Sequence, residues 1–417
     1  MKFLSVFLSL ASACFLNAGQ FSSDFKNTHD RVWLGEEYWA NPMEDWAVRD
    51  GRIVCMRNGP NRNVHLLTHG LSADVSGGSF VVSVRLGIEP GPSGNGSAGF
   101  MVGVIDRETR DPRASLLMGK GLVAGVRTNG KLFIGEAESE KALPSVKDLT
   151  LRLEAFPAKR KGEPHNLRII AFEGGTENEL SRLSGQMLKS ETLAGNLAVG
   201  CNIDPQSNEK GAGKLSRFWF SDWRVSGGMV EARPDLAFGP ILYAMHTLSR
   251  GTLNLTAQMP PLGEKEAKSV RLDTKDDSGK WKKQAVSKTD PLSRTATFRI
   301  KEWEDSRDVS YRVAFEDRKK DGSTKERYFE GMIRRDPVDK KEIVVAGFTG
   351  NKATAFPNDK LVENVETLNP DLLFFSGDQI YEDVGGYGIH RSPVDLAVLN
   401  YLRKIYLWGW AFRDLMR

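Results

Sequence analysis

The sequence predicts a multidomain, mainly β protein: a jelly-roll-like sandwich, a fibronectin- or immunoglobulin-like sandwich, then a βαβ unit that opens an α/β sandwich. Three observations predict it. Short runs alternating apolar and polar residues, split by glycine- and proline-rich punctuation, fill residues 21–230. Roughly seven further runs of period-two alternation fill residues 235–337. From Glu342 the pattern changes to continuous apolar runs flanking a helical stripe, and this segment reaches Arg417.

The chain has 417 residues, room for about two to four domains. With 40% hydrophobic and 27% charged residues it has the composition of a globular protein. Lys and Arg number 58 against 54 Asp and Glu, a net charge of +4. That balance, with no basic tract, gives no support to a nucleic-acid-binding surface.

Residues 1–18 have a positive start at Lys2, a short apolar core from Phe3 to Leu16, and small residues at Ala18-Gly19. This describes a secretory signal, and the core is too short to span a membrane. The expected location is therefore outside the cytoplasm: periplasmic, cell-surface or extracellular. Ala11-Ser-Ala-Cys14 offers a second, minority reading as a lipoprotein box with lipid on Cys14, although leucine is missing from its usual place. Cleavage leaves Cys55 and Cys201, and whether those two pair stays open.

In the first β region, Phe80–Leu86, Ala98–Ile105 and Leu149–Ala155 read as strands. Thr128-Asn-Gly-Lys131 holds the Asn-Gly pair favoured by two-residue hairpin turns. The closing run Leu215–Val225, with Asp45–Ile53 near the start, resembles the concanavalin-like jelly roll of laminin-G and related sugar-binding modules. Two readings of Trp219 and Trp223 stay open, an exposed platform for polysaccharide or ordinary core. Apolar strands bury aromatics routinely, which favours core.

In the second region Thr252–Ala257, Ser269–Leu272, Thr295–Ile300 and Val309–Phe315 alternate strictly, between turns such as Asp276-Asp-Ser-Gly279. His246, its one histidine, reads as a surface or satisfied residue rather than a ligand, and Arg334–Lys341 reads as a linker. Beyond it, Ile343–Phe348 is a buried-strand run. Asn358 is placed to cap a helix whose apolar stripe is Leu361, Val362, Val365 and Leu368, and Pro370 ends that helix. Leu372–Phe375 then reads as a strand covered on both faces, turning at Ser376-Gly377. Strand, helix, strand at this spacing makes parallel strands whose following loops share one edge. Thr349-Gly-Asn-Lys352 should therefore face Asp378-Gln-Ile-Tyr381, with Asp378 as a hard anionic metal ligand.

Gly377-Asp378-Gln-Ile-Tyr381-Glu382, following an apolar strand and a β domain, resembles the Gly-Asp-x-x-Tyr-Glu signature of the alkaline phosphatase D family of calcineurin-like metallophosphoesterases. The resemblance covers residues 342–417 and the sandwich before them. It implies an exported hydrolase of phosphate esters holding two metal ions, iron with calcium or another divalent cation. Asp378 would bridge the ions and Tyr381 would bind the iron. Two cations about 3.5–4 Å apart hold a phosphate ester and activate water for in-line attack.

Two departures set limits. The family commonly carries Ser-Cys or Asp at the end of the first strand, whereas this sequence reads Phe348-Thr349-Gly350-Asn351. Only the neutral oxygens of Thr349 and Asn351 are on offer there. His390 alone among the histidines follows Asp378, and as a loop residue it is the weaker ligand candidate. Further Asn, Asp and His ligands are expected from later strands, so the sequence predicts a catalytic domain incomplete at Arg417 and little or no turnover by this chain alone. No general acid or base is assigned. The competing reading is a secreted carbohydrate-binding protein with a vestigial phosphatase segment.

Overall fold

The computed structural model describes residues 19–73, 78–91, 94–157, 164–204, 206 and 215–417. The proposed signal, with Cys14, lies outside the described residues. No helix among the described residues is long and apolar enough to cross a membrane.

Residues 20–232 form two facing antiparallel sheets of eight strands each. One sheet runs Glu179–Leu188, His165–Glu173, Leu149–Pro157, Phe80–Ile88, Phe218–Ser226, Arg52–Cys55 and Trp46–Arg49, with Gln20–Ser23 also on Phe218–Ser226. The other is built on Lys120–Arg127, Ser97–Ile105, Gly195–Cys201 and Arg62–Leu71. Alternation drives this layering. Along Phe80–Ile88 the residues Phe80, Val82, Val84 and Leu86 point inward and are fully buried, with Val81, Ser83 and Arg85 between them only partly covered. Trp223 sits in the core and Trp219 is 7% exposed, so neither forms an open platform. The Thr128-Asn-Gly turn differs from the expected two-residue hairpin. Only Gly130 has positive φ (+86°), and Arg127 N–H bonds the Lys131 carbonyl across a three-residue loop.

Residues 243–333 form the second sandwich, a three-stranded sheet (Tyr243–Ser249, Thr252–Gln258, Thr295–Ile300) against a four-stranded one (Trp281–Lys288, Ser269–Lys275, Val309–Arg318, Thr324–Ile333). Its core continues into the first sandwich through Trp39, Met43 and Leu67, and into the C-terminal segment through Phe348, Tyr406 and Phe412.

The C-terminal segment pairs Val345–Thr349 with Leu372–Gly377 in parallel, joined by the helix Asp359–Leu368. Three details differ from the sequence reading. Leu373 and Phe375 pack on the core, but Leu372 and Phe374 are 50% and 56% exposed, so the strand is covered on one face only. A two-stranded sheet has a layer on one side here, which leaves Val345 outside as well. For the same reason the helix buries Val362 and Val365 while Leu361 and Leu368 stay exposed. Asn358 stands at the helix start in the left-handed region without a side-chain capping bond, and its carbonyl accepts from Leu361 and Val362 N–H.

The long helix Val394–Phe412 locks this segment to both sandwiches. Trp410 stacks on Phe238 at 4.4 Å and contacts Trp39, while Trp408 and Phe412 hold Phe375 edge-on. Gly409 permits the approach, since a Cβ there would lie 2.0 Å from Tyr243 Cε1. Under this aromatic layer Glu44 accepts hydrogen bonds from Asn400 Nδ2 at 2.6 Å and Arg403 Nε at 3.2 Å, with Glu44 and Arg403 side chains fully buried. Arg403 also donates to the Val384 carbonyl at 3.1 Å.

Removing one member of a buried pair strands the other charge. Glu44→Ala should therefore lower unfolding free energy by about 3–5 kcal/mol, read from the denaturant midpoint; a change under about 1 kcal/mol would remove the pair from the account. His65 is a second test. Burial holds its imidazole at about 4, below the ordinary value of about 6.5. The unfolded chain thus binds the proton first, and stability present above about pH 6.5 is lost as pH falls toward 4. The loss is about 3 kcal/mol, and His65→Leu should flatten that limb of a pH–stability curve.

Candidate functional site

The two parallel strands end side by side, so their loops meet at one edge. Ser376 Oγ donates to the Phe348 carbonyl at 3.0 Å and Asn351 N–H donates to the Asp378 carbonyl at 3.1 Å. These bonds hold the Thr349–Asn351 loop against Asp378. Asp378 has φ +58°, a left-handed turn that swings its carboxylate off the strand axis. Tyr381 Oη donates to Asp378 Oδ2 at 3.1 Å. An added Cβ at Gly350 would lie 3.8 Å from Tyr381 Oη, so this position abuts the Asp378–Tyr381 pair but offers no donor atom. Asn351 Nδ2 is buried without a hydrogen-bond partner among the described residues.

Charge follows this geometry. The bond to the Asp378 carboxylate holds the Tyr381 phenol above its usual value, because the neutral phenol is the donor. Glu382, the last residue of the motif, is turned away. It accepts from Tyr401 Oη at 2.6 Å and pairs with Arg391 at 3.0 Å, and the Tyr401 bond holds it below the usual carboxylate range. His390 sits on the loop beyond, partly covered, and takes no part in the Tyr381–Asp378 bond. The structure thus brings Asp378, Tyr381 and the Asn351 loop together and leaves His390 and Glu382 outside that group.

Behind the edge lies a cleft lined by Asn351, Gln379, Ile380, Lys404 and Trp408. Lys404 is buried and donates to Asn400 Oδ1 at 2.8 Å; burial, with Arg403 beside it, pulls its ammonium below the usual range. Sequence reading passed over Lys404 because the aromatic helix around it carries no chemical signal.

As a metal site the set fits in part. A carboxylate and a phenol within hydrogen-bond reach are two hard oxygen donors to one cation, and a cation would reverse the upward pull on Tyr381 by displacing its proton. Among the described residues no group of three or more His, Cys, Asp or Glu converges, so these residues do not by themselves fill a two-ion site.

No family model matches the chain, and no curated protein matches it. Among solved structures, basic winged bean lectin with Tn-antigen aligns at TM-score 0.33 and 10% identity, over 50% of this chain and 98% of the lectin. The Bauhinia forficata lectin with GalNAc aligns at TM-score 0.32 and 10% identity, over 50% and 98%. The alginate lyase of the marine Aplysia kurodai aligns at 0.31 and 8%, over 49% and 97%. Scores this low assign no function. The chain itself is mainly β and built on antiparallel sandwiches.

In metal-free protein, Asp378→Asn should return the Tyr381 phenol toward its ordinary value, seen as a downward shift of one tyrosine in a ¹³C-tyrosine NMR titration. An unmoved Tyr381 resonance would show that the 3.1 Å bond is not formed in solution.

Proposed function

We propose that this chain contributes Asp378 and Tyr381 to a metal site that hydrolyses phosphate esters in an exported, alkaline phosphatase D-like protein. The observation that carries the reading is the Tyr381–Asp378 contact at the carboxyl edge of a parallel strand pair. Open α/β sheets bind ligands at that edge, and oxygen donors of this kind suit hard cations. When bound, the metal would supply charge for the phosphoryl oxygens and a water of lowered pKa. The chain's own residues hold the site in place. Asp378 would hold the cation through its carboxylate and Tyr381 through its phenolate oxygen, beside an Asn351 loop fixed by a backbone bond to the Asp378 carbonyl. A second ion needs donors beyond these residues.

The second reading is carbohydrate binding by the first sandwich. Its two facing eight-stranded sheets have the layout the Asp45–Ile53 and Leu215–Val225 runs pointed to. Burial of Trp219 and Trp223 takes away the platform those residues would have made.

Titration with Fe³⁺ tests the first reading. Wild type should develop the visible phenolate-to-iron band, inorganic phosphate should shift it, and Tyr381→Phe should abolish it. A chain that takes up no iron, or a band indifferent to phosphate, would contradict the reading. Retention on immobilised polysaccharide without iron uptake would move the function to the sandwich.

A further inference from the structure

We propose that Cys55 and Cys201 close into a disulfide that ties the two sheets of the first sandwich together. Cys55 ends the strand Arg52–Cys55 in one sheet, and Cys201 ends Gly195–Cys201 in the other. Both side chains point into the same core and both are fully buried. Their ladder partners hold them at one end of the sandwich. Cys55 lies opposite Trp46 and Cys201 opposite Arg62, while Arg62 Nε bonds Asp45, the neighbour of Trp46, at 2.9 Å. The Asn61 N–H bond to the Asn202 carbonyl at 2.8 Å closes the same corner.

Both stand as buried thiols here. Cys55 Sγ donates a hydrogen bond to the Arg57 carbonyl at 3.0 Å, and burial, joined by the neighbouring Cys55 thiol, raises the Cys201 thiol. A disulfide requires side chains delivered from backbones already close, and the two strands end at the same corner with both cysteines in one core cluster. The bond would link residues distant in sequence, the case in which a cross-link restricts the unfolded chain most. It is independent of the metal reading.

The oxidant is a disulfide of the exchange class, such as glutathione disulfide. One cysteine thiolate attacks a sulfur of that disulfide, forming a mixed disulfide and releasing one thiolate. The second cysteine attacks the protein-side sulfur, closing the bond and releasing the other. The protein loses two electrons and two protons, and the reagent leaves as two thiols. Both folded thiols are fully buried, out of reach of the reagent, and burial also pushes the Cys201 thiol well up, so closure belongs to the folding chain.

The full chain should be reduced in denaturant, refolded in a glutathione redox buffer, alkylated in denaturant and mapped by peptide mass spectrometry. The expected result is one linked peptide pair carrying Cys55 and Cys201, with Cys14 alone alkylated. The oxidised protein should also unfold at higher guanidinium concentration than both its reduced form and a Cys55→Ala/Cys201→Ala variant. Alkyl label on both Cys55 and Cys201, a bond from either to Cys14, or equal unfolding midpoints would overturn the proposal.

Discussion

The buried carboxylate of Glu44 is the contact on which the arrangement of the C-terminal segment depends. It comes from a short turn in the first sandwich and meets Arg403 across 359 positions of sequence. Two charges out of water need hydrogen bonds beyond the pair itself. Asn400 and the Val384 carbonyl supply two, while Arg403 Nη2 stays buried without a partner among the described residues. Once this knot forms, the helix Val394–Phe412 has one orientation, and its aromatics decide where the parallel strands lie. Phe348 and Phe375 stack at 4.7 Å and both rest on Phe412. The edge bearing Asp378 is therefore positioned by the first β sandwich as much as by its own strands.

That dependence changes how the β domains are read. They form part of the wall against which the site is built. Tyr387 illustrates the coupling: its hydroxyl donates to the Asn61 carbonyl at 3.2 Å, and its ring lies under Arg62 and Arg403. The loop following Asp378 is thus stitched to the same corner of the sandwich that holds Cys201.

Local chemistry was legible in the sequence, and long-range chemistry was not. Ser376-Gly377-Asp378 after an apolar run sufficed to place a carboxylate at a strand end, because turn and alternation are encoded in neighbouring residues. The parallel pairing followed from strand–helix–strand spacing. Glu44 carried no such signal: nothing in Met43-Glu44-Asp45 points to Arg403, which the fold alone brings to it. Lys404 was hidden likewise among aromatics. The exposed Leu372 and Phe374 were misjudged because an apolar run reports what a residue prefers, whereas burial depends on the layers its neighbours supply.

If Asp378 and Tyr381 are metal donors, the metal content of the chain depends on Asp378. The chain and its Asp378→Ala variant would be equilibrated with iron and a divalent cation, desalted and measured by inductively coupled plasma mass spectrometry, with circular dichroism confirming equal folding. The wild-type chain should retain metal and the variant should lose it. Equal metal in both, or none in either, would contradict it.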